Sequence, residues 1–497
     1  MSMSHYSKII TDTERQRVDG SSSHAIVIGG GIAGLLAARV LADHFDLVTI
    51  IERDRFPEKP EPRQGTPQSY HPHVLLVQGQ LILERLFPRL KDELVRNGAS
   101  SVDWTADFRW LLMGGWAPRF PSGITSRACT RNLLEAIIRQ HLVNDRPVEL
   151  LEASQVTGLL ANTGNTAVTG VRVRDGNGKE AEIPAQLVVD ASGRGSKAPK
   201  WLQSLGYGMP QETTIKSFLG YATRWYQTLG GSPLDYKVLY LMPKAPDHPR
   251  GGVIHQVEDG RWLVNLIGVG RDYPPADEAG FLNFARSMHT PEIYEAIRDA
   301  QPLSPIYGYQ RTENRWRHYE RLSRLPENFV VLGDAVCAFN PVYGQGITVA
   351  ALGVLTLDQC LRQQNQRRSN RALTGLAQRF QKQLAKVNTV PWLMATGDDF
   401  RWPTTEGGQP DSMTRLMHWY LDRVMLVASE SAEVYKVLVE VLHLLKPPTA
   451  LFQPGILAQV MIPSSGLKRY PEMREKSQRA QTFGLWTKFA SRQLPKL

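Results

Sequence analysis

Residues 24–42 read HAIVIGGGIAGLLAARVLA, and this stretch decides the fold. A short apolar run leads into three consecutive glycines, and the residues after the glycines follow a helical apolar pattern. A second β-branched run, LVTII at 47–51, follows and ends next to Glu52. The order strand, glycine turn, helix, strand within about 29 residues predicts a βαβ unit of an α/β fold.

The spacing of the glycines predicts a dinucleotide site. In Gly29-x-Gly31-x-x-Gly34, the first glycine allows a tight turn, the second lets a pyrophosphate approach the backbone, and the third lets the helix pack on the strand. The phosphates would lie at the helix N-terminus, where free N–H groups favour an anion. Glu52 is placed to accept a hydrogen bond from a ribose hydroxyl. Because its carboxylate would repel a 2′-phosphate, we expect FAD or NAD rather than NADP.

A second segment far along the chain favours FAD. Residues 329–347 read FVVLGDAVCAFNPVYGQGI, which predicts a buried strand, a Gly-Asp turn and the start of a long apolar helix over 347–361. Asp334 can hold a ribityl hydroxyl, and the N–H groups of residues 344–347 can stabilise negative charge on a reduced isoalloxazine ring.

These motifs together resemble the group A flavoprotein monooxygenases, which have the para-hydroxybenzoate hydroxylase fold. The resemblance covers roughly residues 24–365. Four further segments resemble more closely the flavin epoxidases of bacterial polyether biosynthesis: RQGTPQSYHPHVLL at 63–76, DASGRGS at 190–196, YATR at 221–224 and FNPVYG at 339–344.

The resemblance implies an α/β protein with an FAD-binding Rossmann-like domain of the glutathione-reductase type, an inserted β-rich substrate domain and C-terminal helices. Aromatic, strand-like runs between residues 206 and 302 agree with such an insertion. We therefore expect a flexible leader over 1–23, the FAD-binding domain over 24–205 and 303–365, the substrate domain over 206–302, and a helical region with a basic tail over 366–497.

The expected cofactor site combines both motifs with residues that the resemblance adds. It implies that Arg63 and Arg131 contact the ribityl and phosphate groups and that the backbone of Val156 contacts the adenine. The full expected set is Gly29, Gly31, Ile32, Ala33, Gly34, Glu52, Arg53, Arg63, Arg131, Val156, Asp334, Pro341, Gly344, Gln345, Gly346 and Ile347. No side chain is assigned a catalytic role, since the flavin carries the chemistry. No metal is expected, because His71 and His73 lack carboxylate or cysteine partners nearby in the sequence.

The family resemblance implies an FAD-dependent monooxygenase that uses O₂ and transfers one oxygen atom to its substrate through a flavin hydroperoxide. Phenol hydroxylation benefits from a side-chain base, whereas an alkene needs none. No acid–base constellation stands out in the sequence, which favours epoxidation of an alkene. The aromatic residues between 218 and 262 would suit a large, apolar small-molecule substrate from secondary metabolism.

Three alternative functions stay open at this point. A polyprenyl double-bond reductase and an aromatic hydroxylase both use the same fold, and so does a non-catalytic interaction protein without working flavin. Halogenases of this fold carry a Trp-x-Trp-x-Ile-Pro motif, which this sequence lacks.

The electron donor is also open. NAD(P)H is expected, but hydroxylases of this fold carry an Asp-Gly pair where this chain has Ser192-Gly193. A separate flavin reductase therefore stays a possible partner.

The charge of +10 suggests an anionic partner, and its distribution argues against nucleic acid. Eight Lys and Arg against two acids place +6 of it in residues 466–497, where weak peripheral contact with anionic lipid is conceivable. Residues 1–23 lack the apolar core of a signal peptide, and three cysteines cannot form a disulfide framework. We expect a cytoplasmic location.

Overall fold

A computed structural model describes residues 23–227, 234–367 and 373–461. The leader apart from Ser23, and the basic tail 466–497, lie outside the described residues. The strands are β1 His24–Ile28, β2 Leu47–Ile51, β3 Ser100–Asp103, β4 Phe108–Leu111, β5 Thr125–Ala128, β6 Val148–Leu151, β7 Ser154–Ala161, β8 Val168–Asp175, β9 Glu180–Pro184, β10 Leu187–Asp190, β11 Glu212–Ile215, β12 Gly220–Tyr226, β13 Val238–Leu241, β14 Arg250–Gln256, β15 Trp262–Gly268, β16 Tyr307–Tyr309, β17 Asn314–Arg317, β18 Phe329–Val331 and β19 Cys337–Ala338.

The α-helices alternate with strands in the first half of the chain and dominate its end. They are α1 Ile32–Leu41, α2 Val77–Leu86, α3 Leu90–Arg96, α4 Arg131–Asp145, α5 Ala198–Ser204, α6 Glu278–Arg286, α7 Glu292–Ile297, α8 Gly346–Arg367, α9 Leu376–Asp399, α10 Ser412–Ala428, α11 Ala432–Leu442 and α12 Pro454–Met461. Within the described residues, no helix is long and apolar enough to cross a membrane.

A five-stranded parallel sheet carries the predicted βαβ unit. Its order is β18-β10-β1-β2-β6, and β1 lies at its centre, with Val27 opposite Val189 on one side and Ile50 on the other. Every residue of β1 is buried, as expected for a parallel strand covered on both faces. Helix α1 packs against α8. The two predicted cofactor motifs lead into these helices, so they are neighbours in the fold.

The second large sheet combines strands from inside and outside residues 206–302. Its order is β16-β12-β15-β14-β13-β4, so it includes one strand from the first part of the FAD-binding domain and one from after residue 302. Helices α6 and α7 cover one of its faces. Helices α10 to α12 build a separate core with the aromatic residues Trp104, Phe108 and Trp110.

One expected strand is split in the structure. The pattern of residues 148–160 predicts a single antiparallel strand, but in the structure β6 joins the parallel sheet and β7 begins an antiparallel sheet with β8 and β9. Ala153 between them has a φ of 50°, which turns the chain out of the extended conformation. The break directs β7 past the end of β2, where the N–H of Ser154 donates to the carbonyl of Glu52 at 2.9 Å.

Candidate functional site

The glycine turn between β1 and α1 is packed too tightly for larger residues at two of its positions. Gly29 has a φ of 98°, and a Cβ there would lie 2.8 Å from the carbonyl oxygen of Ala191. A Cβ on Gly34 would overlap the carbonyl of Gly29. Gly31 differs, because among the described residues its Cβ would meet only the guanidinium of Arg131, at 3.6 Å. Its open side therefore leaves room for a ligand at the start of α1, where the first N–H groups lack intrahelical acceptors.

Glu52 and Arg63 lie directly beneath this turn. Glu52 is 5% exposed, and its Oε2 accepts the N–H of Gly30 at 2.7 Å. The Arg63 guanidinium lies 3.3 Å from that oxygen and pairs with Asp54 at 2.9 Å and Glu135 at 3.1 Å. It also donates to the carbonyl of Gly30 at 3.2 Å. Both residues are thus buried next to the turn.

Arg131 begins α4 and points its side chain at the same turn. The side chain is 11% exposed, and its Nη2 lies 3.5 Å from Glu135. Its buried Nε has no hydrogen-bond partner among the described residues. An unpaired buried donor costs about 1–3 kcal/mol, so a guanidinium held this way beside a helix N-terminus is suited to an anion.

The remaining predicted residues of the first motif have different environments. Ile32 is buried and Ala33 half-buried in the first turn of α1. Val156 is buried in β7, two residues after the contact with Glu52. The Arg53 side chain is 64% exposed and lies 3.9 Å from Asp54.

The second motif lies against the first. Gly333 has a φ of 63°, and a Cβ there would lie 2.9 Å from the Cβ of Ala33 in α1. Asp334 follows, with a side chain that is 41% exposed and 4.0 Å from Arg194. Its carboxylate is therefore available to a hydroxyl group in the space between the two motifs.

The turn before α8 leads into the first turn of that helix, where N–H groups lack intrahelical acceptors. Gly344 is left-handed, with a φ of 63°, and ends a short helical turn that begins at the exposed Pro341. A Cβ on the exposed Gly346 would have nothing within 4 Å among the described residues. Gln345 and Ile347 are buried, and the Oε1 of Gln345 has no partner in the part of the chain that is described. The start of α8 thus offers N–H groups and an unpaired amide oxygen.

Residues 190–196 connect the two motifs. Buried Asp190 accepts the hydroxyls of Ser192 and Ser196, both at 2.5 Å. Arg194 donates to the carbonyl of Phe339 at 2.7 Å, just before the turn of the second motif. Because the Ser192 hydroxyl is engaged with Asp190, the departure from the hydroxylase Asp-Gly pair has a structural role here.

These residues fit FAD. The glycine turn and Arg131 offer an anion site, Glu52 and Asp334 are carboxylates positioned for sugar and ribityl hydroxyls, and the start of α8 offers N–H groups for a flavin ring. The structure brings the glycine turn, Glu52, Arg63 and Arg131 together, and packs the second motif beside them.

An aromatic cluster connects the six-stranded sheet with the turn before α8. We call it the aromatic wall; it consists of Tyr221, Tyr240 and Tyr309 of the sheet, together with Val342 of the turn and Trp402 after α9. The hydroxyl of Tyr221 is buried and has no partner among the described residues. Burial raises the pKa of Tyr221 well above its usual value, so the phenol is protonated at neutral pH.

The histidines and cysteines that drew attention in the sequence are packed in the interior. The Nδ1 of His71 lies 2.7 Å from the Thr223 hydroxyl, and burial lowers the pKa of His71 to about 4. Burial, and then the charge of Arg131, lowers the pKa of His73 to about 3. Cys337 is buried with a raised thiol pKa. Within the described residues, no three His, Cys, Asp or Glu side chains are grouped to hold a metal ion.

Sequence reasoning missed the buried carboxyl group at the end of α9. Asp399 is 2% exposed and accepts hydrogen bonds from Asn314, Asn340 and Tyr343. Burial, followed by repulsion from Asp398, raises its pKa to about 7. Asp399 lies three residues after Thr396 and seven after Trp392, on the buried side of α9. This helical spacing is the feature of the sequence that could have indicated a buried carboxyl group.

Comparison with known proteins identifies relatives over most of the chain. No protein-family model matches it. Protein Rv3254 of Mycobacterium tuberculosis (strain ATCC 25618 / H37Rv) is 32% identical over 402 residues, which cover 78% of this chain and 83% of that protein. The chain belongs to the Rv3254 family. Kynurenine 3-monooxygenase of Salinispora arenicola (strain CNS-205) is 26% identical over 359 residues, 68% of this chain and 72% of that enzyme.

Solved structures show that this Rv3254-family chain has the fold of flavin-dependent monooxygenases and halogenases. The flavin-dependent brominase Bmp2 matches 92% of the chain and 100% of its own length, with a TM-score of 0.62 and 13% identity. PqsL of Pseudomonas aeruginosa, a probable FAD-dependent monooxygenase, matches 76% of the chain and 98% of its own length, with a TM-score of 0.55 and 17% identity. The predicted fold class is confirmed, and these relatives agree with the prediction of an FAD-dependent oxidoreductase.

Proposed function

We propose that the protein is an FAD-dependent monooxygenase that transfers one oxygen atom from O₂ to a large apolar substrate, by epoxidation of an alkene. One observation carries the proposal: the glycine turn and the second motif lie against each other, and the turn of the second motif contacts the aromatic wall. Bound FAD would supply the activation of O₂, which side chains cannot provide.

The residues of this chain would bind and orient the cofactor and the substrate. The glycine turn and Arg131 would hold the pyrophosphate, and Glu52 and Asp334 would fix hydroxyl groups of the cofactor. The N–H groups at the start of α8 would stabilise negative charge on the flavin ring. The aromatic wall would exclude water from the substrate side and position an apolar, unsaturated group next to the ring.

Aromatic hydroxylation is the second candidate, and two observations favour it. A relative over two thirds of the chain is named kynurenine 3-monooxygenase. Moreover, the structure contains an acid–base pair that does not stand out in the sequence, because the Tyr343 hydroxyl of the turn before α8 donates to Asp399 beneath the turn at 3.0 Å. A base of this kind assists attack by a phenol ring and is not needed for an alkene.

The electron donor belongs to the proposal as well. We propose NAD(P)H, delivered either directly or through a separate flavin reductase. Comparing NADPH and NADH oxidation by the purified protein, with and without an added reductase, distinguishes these routes.

An isotope experiment tests the oxygen transfer. The FAD-loaded protein is incubated under ¹⁸O₂ with NADPH and a panel of linear polyenes and phenols, and products are examined by mass spectrometry. A product with one ¹⁸O atom supports a monooxygenase, and its chemical class separates epoxidation from ring hydroxylation. A product that gains two hydrogens and no ¹⁸O would instead identify a double-bond reductase.

A further inference from the structure

A group of polar side chains is buried beneath the turn that precedes α8. At its centre, Asp399 at the end of α9 accepts the side-chain amide of Asn314 at 2.6 Å and that of Asn340 at 3.2 Å. The Tyr343 hydroxyl donates to the same carboxyl group at 3.0 Å. Asn340 and Tyr343 belong to the turn, so Asp399 holds it from below at two positions.

Asp399 is held by neutral groups. Among the described residues, no basic side chain pairs with it: Arg401, the nearby cation, pairs with Asp398 at 2.9 Å and with Asp422 at 2.6 Å. A buried carboxylate without a cation is costly in its charged form. Burial and Asp398 accordingly raise the pKa of Asp399 to about 7.

Tyr343 has two carboxyl groups within reach. Its hydroxyl lies 3.2 Å from Asp398 and 3.0 Å from Asp399, and the Asp398 side chain is 44% exposed. When Asp399 is ionised, it can accept all of the donors around it. When it is protonated, it becomes a donor itself, and Tyr343 can then donate to Asp398 instead.

We propose that Asp399 is a positioning residue whose protonation decides which carboxyl group receives the Tyr343 hydrogen bond, and thereby sets the turn beside the cofactor site. The inference rests on the proposed function in one respect, namely that the turn and the start of α8 contact FAD.

Several other charged or titratable groups face this cluster. They are Asp398 and Arg401 next to it in the chain, Tyr221 on β12, Tyr240 on β13, and His418 and Asp422 on α10. Burial lowers the pKa of His418 below its usual 6.5, so this residue needs its own control.

The first experiment uses the FAD-loaded protein. The visible spectrum of the bound flavin is recorded between pH 5 and pH 9 for the native chain and for Asp399→Asn, Asp398→Asn and His418→Gln. We expect a spectral transition near neutral pH that disappears only in Asp399→Asn. In Asp398→Asn it should move to lower pH, because the repelling charge is gone. A transition that persists in Asp399→Asn, or that is absent from the native chain, would overturn the proposal.

The second experiment needs no flavin, so it separates this proposal from the proposed function. The urea midpoint of the FAD-free protein is measured across the same pH range. The folded pKa of Asp399 lies above its unfolded value of 3.8, so the native chain should lose stability relative to Asp399→Asn as pH rises towards about 7. Parallel curves for the two proteins would refute the protonation of Asp399. Tyr343→Phe is the second variant if Asp399→Asn does not fold. It should lose the spectral transition of the flavin, because the hydroxyl that changes partner is gone, and it should keep the pH dependence of the urea midpoint. A spectral transition that persists in Tyr343→Phe would refute the role of Tyr343.

Discussion

An Arg131→Met variant should bind FAD more weakly without losing stability in its FAD-free form. Arg131 places a buried guanidinium against Gly31, and its Nε has no partner among the described residues. Methionine keeps an unbranched apolar stem and removes the charge. The substitution therefore removes an unpaired buried donor from the free protein and a ligand contact from the complex.

The expected magnitude follows from these contacts. A hydrogen bond to a charged group contributes about 1.5–3 kcal/mol, which corresponds to a loss of about 10- to 100-fold in affinity. Arg131 lies 3.5 Å from Glu135, and Glu135 keeps its partner Arg63 at 3.1 Å in the variant. The free energy of unfolding without FAD should therefore change by less than about 1 kcal/mol, or rise.

Two assays and one control variant test this reasoning. FAD affinity is measured by flavin fluorescence titration, and the stability of the FAD-free protein by urea unfolding. Arg146→Met is the control, because Arg146 follows the same helix and forms a half-exposed pair with Asp43 at 2.9 Å. It should leave FAD affinity unchanged. Native-like affinity in Arg131→Met, or destabilisation of its FAD-free form by several kcal/mol, would refute the assignment of Arg131 to the anion site.

Three further substitutions test other parts of the site. Glu52→Gln should weaken FAD binding about tenfold, because one charge-assisted contact is lost; a fluorescence titration checks this, and unchanged affinity would count against Glu52 as a cofactor ligand. Tyr221→Phe should leave stability unchanged or raise it by up to about 1 kcal/mol, because the hydroxyl is buried without a partner among the described residues; a clear drop in melting temperature would contradict this. Gly333→Ala should cost about 1–3 kcal/mol for its left-handed backbone, plus the overlap with Ala33, and should also weaken FAD binding. Gly260→Ala is the control, because Gly260 has a φ of 68° and no atom of the described residues lies within 4 Å of the new Cβ. If both variants lost the same free energy of unfolding in urea, the contact with Ala33 would contribute nothing.

The cofactor motifs could be predicted from the sequence because their chemistry is local. The glycine turn needs particular residues at fixed spacing, and Glu52 follows at the end of the next strand, so the sequence alone determines which groups meet. Arg63 and Arg131 required the family resemblance, since their approach to the turn depends on tertiary packing.

Other features depend on contacts between distant segments. In the six-stranded sheet, β4 pairs with β13, which lies more than a hundred residues later in the chain. No local sequence pattern predicts that pairing. The bend at Ala153 places β6 and β7 in different sheets, although no glycine or proline lies between them to mark a break. Asp399 is a site candidate only because α9 carries it under the turn that holds Asn340 and Tyr343.

The most direct test of the central claim is to identify the flavin in the purified protein. The protein is loaded with an excess of FAD, freed of unbound ligand and examined by visible absorption, and the extracted cofactor is identified and counted. The site described here predicts one FAD per chain and a flavin spectrum that is lost on denaturation. A folded, colourless protein that takes up no FAD would contradict it.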